Sequence, residues 1–276
     1  MSERQFTTRF CPYCCTEILA PTKYCETCGA EISWSISEFQ VPPYPWSPKS
    51  TYLVTILTYS IFFLILIPIM AYYLVFFGIP ILLLGNILLM DPLFFTLLSV
   101  SELIFIVIPL AYVTRLKVEQ DKVGLKTGGP VTLAKDILLG LVVGIAMVPF
   151  VFLLALYEFL GSGSGIPSPL PGPDEIFWLV ITFIAIILII APAEEYLFRG
   201  FIQNSLDAHY GNIGGLLVAS IIFGLVHANP FIGIIQTMLG VILGLLFQWR
   251  GRRLAGPIAA HAIYDVLLIF IQTFFF

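Results

Sequence analysis

The stretch EIFWLVITFIAIILIIAPAEEYLFR, residues 175–199, decides the fold of this chain. Its first part, 175–193, is almost wholly apolar, and about 20 such residues in a helix cross the hydrocarbon core of a bilayer. Two glutamates and an arginine then follow in the sequence EEYLFR, residues 194–199. The stretch therefore predicts a membrane-spanning helix with ionisable side chains at one end, where such groups are costly and are candidates for function.

The composition extends this prediction to the whole chain. Of the 276 residues, 59% are hydrophobic and 11% are charged, whereas about 25% are charged in an ordinary soluble domain. A soluble fold could not cover that much apolar surface. The formal net charge of −4 gives no reason to expect a nucleic-acid partner. The polar first residues, MSERQFTTRF, lack the apolar region of a signal peptide. We therefore expect a protein embedded in the lipid bilayer.

Long apolar runs separated by short polar breaks predict seven membrane-spanning helices. They cover residues 51–77, 93–113, 133–160, 175–193, 213–229, 231–249 and 254–274. The run 79–90 is too short to span a bilayer by itself, so it is either a re-entrant half-helix or part of an eighth span. The predicted fold class is an all-α polytopic membrane protein of seven or eight transmembrane helices with a small N-terminal zinc ribbon.

The distribution of basic residues predicts the orientation. Loops 114–126 and 249–253 are rich in Lys and Arg, whereas loop 161–174 contains neither. The positive-inside rule places the two basic loops in the cytoplasm and the third loop outside. Seven spans then put the N-terminus of this cell-membrane protein in the cytoplasm, whereas an eighth span in the first hairpin would reverse that end.

All five cysteines lie in a polar N-terminal segment, residues 1–32, which a proline-rich linker, residues 33–50, joins to the membrane domain, residues 51–276. Two CxxC pairs can surround a zinc ion tetrahedrally. The predicted ligands of a structural zinc are Cys11, Cys14, Cys25 and Cys28. A segment of about 32 residues cannot build its own core, so the metal would supply the folding energy. With Gly29 after the second pair, the segment resembles a zinc ribbon.

Two alternatives for the cysteines stay open, a redox dithiol pair and a disulfide framework. A reducing cytoplasm argues against the disulfides. Cys15 is either a spare thiol or an alternate ligand. Because four thiolates leave no open position on zinc, the expected role is structural or the recruitment of a protein partner.

The first polar cluster in the membrane domain is EEYLFR itself. Glu195 and Arg199 are four residues apart, so they lie on one helix face and can pair. Glu194 is rotated by about 100° from that face. The Glu195 carboxylate is thus neutralised by Arg199, and the Glu194 carboxylate is free to act as a base.

Two further clusters lie in later apolar runs. In FGLVH, residues 223–227, His227 shares a helix face with Phe223, and in HAIYD, residues 261–265, His261 can hydrogen-bond to Asp265. Each cluster alone could be structural, because a membrane histidine often joins helices and a Glu–Arg pair often clamps the end of a span. For Glu102, inside the second span, a structural partner is favoured. Three clusters on three helices are harder to explain without function.

The pattern EExxxR, FxxxH and HxxxN/D resembles the CPBP family of intramembrane proteases, which includes the type II CAAX prenyl endopeptidases and bacteriocin-processing or immunity proteins. The resemblance covers about residues 175–270. It implies an endopeptidase that needs no metal for catalysis and acts on a membrane-associated protein or peptide, prenylated in some members.

The resemblance also implies roles for the catalytic residues. Glu194 would be the general base that activates a water, and His227 would hold that water. His261 and Asp265 would stabilise the oxyanion, while Glu195 and Arg199 would fix the geometry. Because an ionised Asp cannot donate a hydrogen bond, Asp265 is either protonated or orients His261.

These residues can meet only if the chain reverses after the fourth span. We expect residues 196–210 to continue that helix and the fifth span to return beside it, with Gly211 and Asn212 at the turn. Glu194 and His227 are then level with each other.

Two rival functions remain. Glu194, His227 and His261 could form a His₂Glu catalytic zinc site, although the usual HExxH helix is absent. The module could instead be a non-catalytic immunity or scaffold protein whose zinc ribbon recruits a partner.

Overall fold

A computed structural model describes residues 9–10, 14, 16–18, 24–31, 45–77, 92–153, 156, 172–227 and 230–275. The predicted extra segment 79–90 and two of the cysteines, Cys11 and Cys15, lie outside these residues. Most of the described chain is helical. The exception is the Cys-rich N-terminal segment, residues 1–32, which we call the head. In it, strands β1 (Arg9–Phe10) and β2 (Glu17–Ile18) pair antiparallel.

The described part of the membrane domain is a bundle of helices. Its elements before the decisive stretch are α1 (Pro48–Phe77), α2 (Pro92–Ser101), α3 (Ile104–Arg115), a 3₁₀ turn (Gln120–Val123) and α4 (Pro130–Ala146). The decisive stretch forms α5 (Pro173–Ala185), a π-helical segment (Ile186–Ile190), α6 (Ala191–Glu195), a second π-helical segment (Tyr196–Gln203) and α7 (Asn204–Leu225). The last two helices are α8 (Pro230–Trp249) and α9 (Ala255–Phe275).

Six helical runs in the described part of the chain are long and apolar enough to cross a membrane. The sequence predicts seven spans, and the fourth and most of the fifth, 175–193 and 213–229, both lie within the run Asp174–Leu225, which the non-helical residue Gly211 interrupts. The polar residues between them stay helical because the bundle buries them, as the burial of every residue of Tyr196–Gln203 shows.

This long run turns back on itself at Gly211, as the sequence predicts. Gly211 has φ 76° and ψ 162°, a conformation that glycine adopts without the steric cost of a Cβ. The return is visible in the rings of Phe198 and Phe223, whose centroids lie 4.8 Å apart although 25 residues separate them. A straight helix would separate them by about 37 Å at 1.5 Å per residue. The hairpin therefore brings the second predicted cluster back to the level of the first.

The two basic loops lie on the same face of the bundle. The Leu254 amide donates to the Gly124 carbonyl at 3.1 Å, which joins the loop after α8 to the loop after α3. Trp46, just before α1, lies on this face too, stacked on Phe201 at 5.1 Å and edge-on to Tyr112. The start of α1 and both basic loops therefore share one side of the membrane.

Small residues allow close helix contact between α4 and α9 and between α7 and α8. A Cβ atom at Gly140 or Gly144 would collide with the backbone of α9 at Gly256 or Ala260. A Cβ at Gly240 would lie 3.1 Å from Ser220. The two glycine pairs in the sequence thus serve helix packing.

We expect Gly144→Leu to destabilise the bundle by about 1–3 kcal/mol, because the new side chain meets backbone atoms of α9 that cannot move aside. Thermal unfolding of the purified protein in detergent measures the change. Ala146→Leu is the matched control, since Ala146 lies on the same helix with an exposed side chain. Equal melting temperatures for the two variants would contradict the packing described for α4.

Candidate functional site

The local fold of α6 presents Glu194 and Glu195 to the interior of the bundle. Pro192 has no amide hydrogen, so the regular helical ladder cannot continue through it, and π-helical turns flank α6 on both sides. Such turns are often found at functional sites, because they change the direction in which side chains project. The two adjacent carboxylates consequently face different neighbours.

Glu195 is fully buried between two cationic or potentially cationic groups. Its Oε2 lies 3.2 Å from Nε of Arg199, and its Oε1 lies 2.8 Å from Nδ1 of His261. Because a carboxylate oxygen only accepts, Nδ1 of His261 is the donor. The Arg199 guanidinium, 2% exposed, also lies 4.6 Å from the centroid of the Phe223 ring. This network fixes the orientation of the His261 ring.

The other nitrogen of His261 faces Glu194. Nε2 lies 3.7 Å from Oε2 of Glu194 and 3.4 Å from Oδ2 of Asp265. The Glu194 side chain is 15% exposed, unlike that of Glu195, which is 0% exposed. Glu195 is thus buried with close partners on both oxygens, whereas Glu194 is partly exposed and its neighbour His261 is more distant.

His227 reaches the same region from the end of α7. Its Nδ1 donates to the Phe223 carbonyl at 2.8 Å, which leaves Nε2 of the neutral ring as an acceptor. The Phe223 ring lies 5.1 Å from that of His227 and 5.9 Å from that of His261. Glu194 is within electrostatic range of His227. The six predicted catalytic residues thus come together from α6, the following π-helical segment, the end of α7 and α9.

Glu102 lies beside this cluster. It is 7% exposed, and its Oε2 has no hydrogen-bond partner among the described residues. Glu194, Asp265 and His261 are all within electrostatic range of it. The structural partner favoured from the sequence is not found in the described part of the chain. The sequence signal that could have indicated a site role is the position of this acid in the middle of a span.

Sequence reasoning also missed a set of buried ion pairs on the basic face. Asp136, fully buried, accepts hydrogen bonds from Arg250 at 2.6 Å and from Arg253 at 2.5 Å. Asp207 pairs with Arg252 at 2.6 Å. These arginines hold the turn between α8 and α9 against α4 and α7, and so fix the start of the helix that carries His261.

The described cysteines form a cluster that could hold a metal ion. The Sγ atoms of Cys14, Cys25 and Cys28 lie within 4.8 Å of one another, and those of Cys14 and Cys25 are 3.5 Å apart. Tetrahedral ligation at 2.3 Å requires sulfur atoms about 3.8 Å apart. Gly29, with φ 71°, lets its amide donate to the Cys25 carbonyl at 2.7 Å. Three of the four predicted ligands are therefore positioned to hold a metal, and the fourth, Cys11, lies outside the described residues.

The head lies near the basic face of the membrane domain. Burial and the charge of Arg253 lower the pKa of Lys126 below its usual value, and Cys14 is within electrostatic range of the same lysine. The Cys14 thiol is thus near the loop that follows α3.

We expect the purified chain to contain about one zinc per molecule, since a four-thiolate site binds one ion. Cys25→Ser, which removes a buried predicted ligand, should abolish this content, and Thr127→Ala in an exposed loop is the control. Inductively coupled plasma mass spectrometry measures the metal. Zinc retained by Cys25→Ser would instead favour the His₂Glu alternative.

Within the described residues, the cysteines are the one group of His, Cys, Asp and Glu side chains with metal-binding spacing. Glu194, His227 and His261 do not form such a group there.

The fold and the site together define a class, a polytopic helical membrane protein with a carboxylate–imidazole cluster in its interior. Residues 176–267 match the family model described as type II CAAX prenyl endopeptidase Rce1-like. The resemblance predicted from the three sequence clusters is thus confirmed for this part of the chain.

The chain is also similar, over part of its length, to a curated protein. The chain is 37% identical over 84 residues to the uncharacterized protein YpbD of Bacillus subtilis (strain 168), an alignment that covers 29% of this chain and 40% of that protein. No solved structure matches the chain significantly.

Proposed function

We propose that this protein is an intramembrane endopeptidase that hydrolyses a peptide bond of a membrane-associated substrate, with Glu194 as the general base. The observation that carries the proposal is the contact between Glu194 and His261, whose ring is held by the buried Glu195 and Arg199. The family match over residues 176–267 supports the same reaction class.

The reaction follows from the positions of these groups. The Glu194 carboxylate accepts a proton from a water that is also held by Nε2 of His227, and the water oxygen attacks the scissile carbonyl carbon. The Nε2–H of His261 donates to the oxygen of the tetrahedral intermediate. As the C–N bond breaks, the proton on Glu194 passes to the leaving nitrogen, which gives a carboxylate and an amine.

Asp265 acts through His261 in this mechanism. An ionised Asp cannot donate to an oxyanion, but its Oδ2, 3.4 Å from Nε2 of His261, can hold that ring in place. Of the two alternatives left open by the sequence, the orientation of His261 is the one that this distance supports.

The substrate class follows from the family description and from the membrane setting. A prenylated CAAX-type peptide is the first candidate, because its lipid anchor would hold it at the bilayer surface near the site. By the positive-inside rule, the face with the basic loops and the start of α1 is cytoplasmic. The N-terminal head is then cytoplasmic as well, and is positioned to recruit a protein partner.

The proposal is tested with the purified full-length chain in liposomes and a fluorogenic farnesylated CAAX-type peptide. We expect cleavage at an internal peptide bond, identified by mass spectrometry of both products. The same peptide without the farnesyl group is the control for membrane anchoring. An intact farnesylated peptide after prolonged incubation would contradict the proposed substrate class.

A further inference from the structure

Glu102 lies inside the second membrane-spanning run, Leu93–Arg115, at the junction of α2 and α3. Helix α2 ends at Ser101 and α3 begins at Ile104, and the Ser101 hydroxyl donates to the Leu98 carbonyl at 2.6 Å. The Glu102 side chain is more than nine-tenths buried, and its Oε2 lacks a hydrogen-bond partner within the described residues.

The packing of α3 directs this carboxyl group toward the proposed site. Phe105, one turn after Glu102, is 3% exposed and belongs to the same core cluster as Ala193 and Phe223. Its ring lies 5.1 Å from that of Tyr59 on α1. Tyr59 is in turn within electrostatic range of both Glu102 and Glu194. Glu102 and Glu194 thus lie near each other, and helices α1 and α3 pack beside them.

The charges already present argue that Glu102 carries none. Arg199 is paired with Glu195, and His261 contacts Glu194, Glu195 and Asp265. A fourth negative charge, buried and without a cation in contact, would cost several kcal/mol. A carboxyl group in such surroundings keeps its proton and becomes a hydrogen-bond donor.

We propose that Glu102 is a neutral carboxylic acid whose O–H donates a hydrogen bond to the scissile carbonyl oxygen of the bound peptide. The inference rests on the proposed function and deepens it by naming a catalytic residue outside the three sequence clusters. The O–H bond is not broken, since the group stabilises the oxyanion by donation alone. It supplies the second donor that an ionised Asp265 cannot provide.

Two substitutions at this position test the proposal in the liposome assay. Glu102→Leu removes the donor, and we expect kcat to fall by about 10²- to 10³-fold with little change in KM. The melting temperature should be equal to or above that of the wild type, because an unpaired buried polar group has been removed. Glu102→Gln keeps an N–H donor and should retain kcat within about 10-fold of the wild type, since the hydrogen bond is preserved.

Infrared spectroscopy tests directly whether the Glu102 carboxyl group is protonated. Infrared difference spectra of the wild type and Glu102→Gln at neutral pH should show the C=O band of a protonated carboxylic acid that the variant lacks. Absence of that band would overturn the inference. Wild-type kcat in Glu102→Leu, or equal loss in Leu and Gln variants, would also overturn it, as would a lowered melting temperature for the Leu variant.

Glu194→Gln, measured in parallel, separates the role of Glu102 from the proposed endopeptidase function. If Glu194→Gln is inactive while Glu102→Leu is fully active, only the role of Glu102 is wrong. If the wild type does not cleave the peptide, or if Glu194→Gln cleaves it at the wild-type rate, the proposed function itself is wrong.

Discussion

Glu194→Gln should reduce kcat by roughly 10²- to 10⁴-fold, the contribution of a positioned general base. The amide has nearly the same shape as the carboxylate but cannot accept the proton of the water. Stability should change little, because the Glu194 side chain is partly exposed and the buried pair of Glu195 and Arg199 is untouched. Cleavage of the farnesylated peptide and thermal unfolding in detergent measure the two quantities.

The matched control is Glu119→Gln, which makes the same chemical change in an exposed loop of the basic face. It should leave both kcat and the melting temperature unchanged. A Glu194→Gln variant that unfolds at a much lower temperature would indicate that Glu194 is structural. The non-catalytic scaffold alternative would then regain support.

Glu195→Gln, unlike Glu194→Gln, should lose stability as well as activity. The substitution leaves the Arg199 guanidinium, 2% exposed, without its counter-charge. Removing one partner of a buried ion pair typically costs about 3–5 kcal/mol. It also weakens the hydrogen bond that orients His261, so the surviving folded protein should be less active. Denaturant or thermal unfolding in detergent measures the loss.

A double substitution separates the charge effect from packing. Glu195→Leu together with Arg199→Met replaces the ion pair by apolar side chains, and such replacements are often neutral or stabilising. We expect the double variant to recover most of the stability lost in Glu195→Gln but none of its activity. Recovery of activity without Glu195 would contradict its proposed role in positioning His261.

The site could be predicted in outline because its residues are of types that membrane helices rarely contain. Each cluster was visible as a break in an apolar run, and spacings of four residues identified the pairs that share a face. The reversal at Gly211 followed from the lengths of the two helical arms. Local pattern and helix geometry were sufficient for these features.

Other features depend on contacts between distant segments, which the sequence does not reveal. The pairing of Glu195 with His261 joins residues 66 positions apart. The surroundings of Glu102 likewise depend on how α3 packs against α6, which no periodicity in the sequence specifies.

The central claim is that Glu194 activates a water inside the helix bundle, and oxygen-isotope labelling tests it most directly. The wild-type protein in liposomes is incubated with the farnesylated peptide in H₂¹⁸O, and the products are analysed by mass spectrometry. We predict one ¹⁸O atom in the new C-terminal carboxylate and, with Glu194→Gln, labelled product formed at least about 100-fold more slowly. Labelled product formed equally by both proteins would contradict the account.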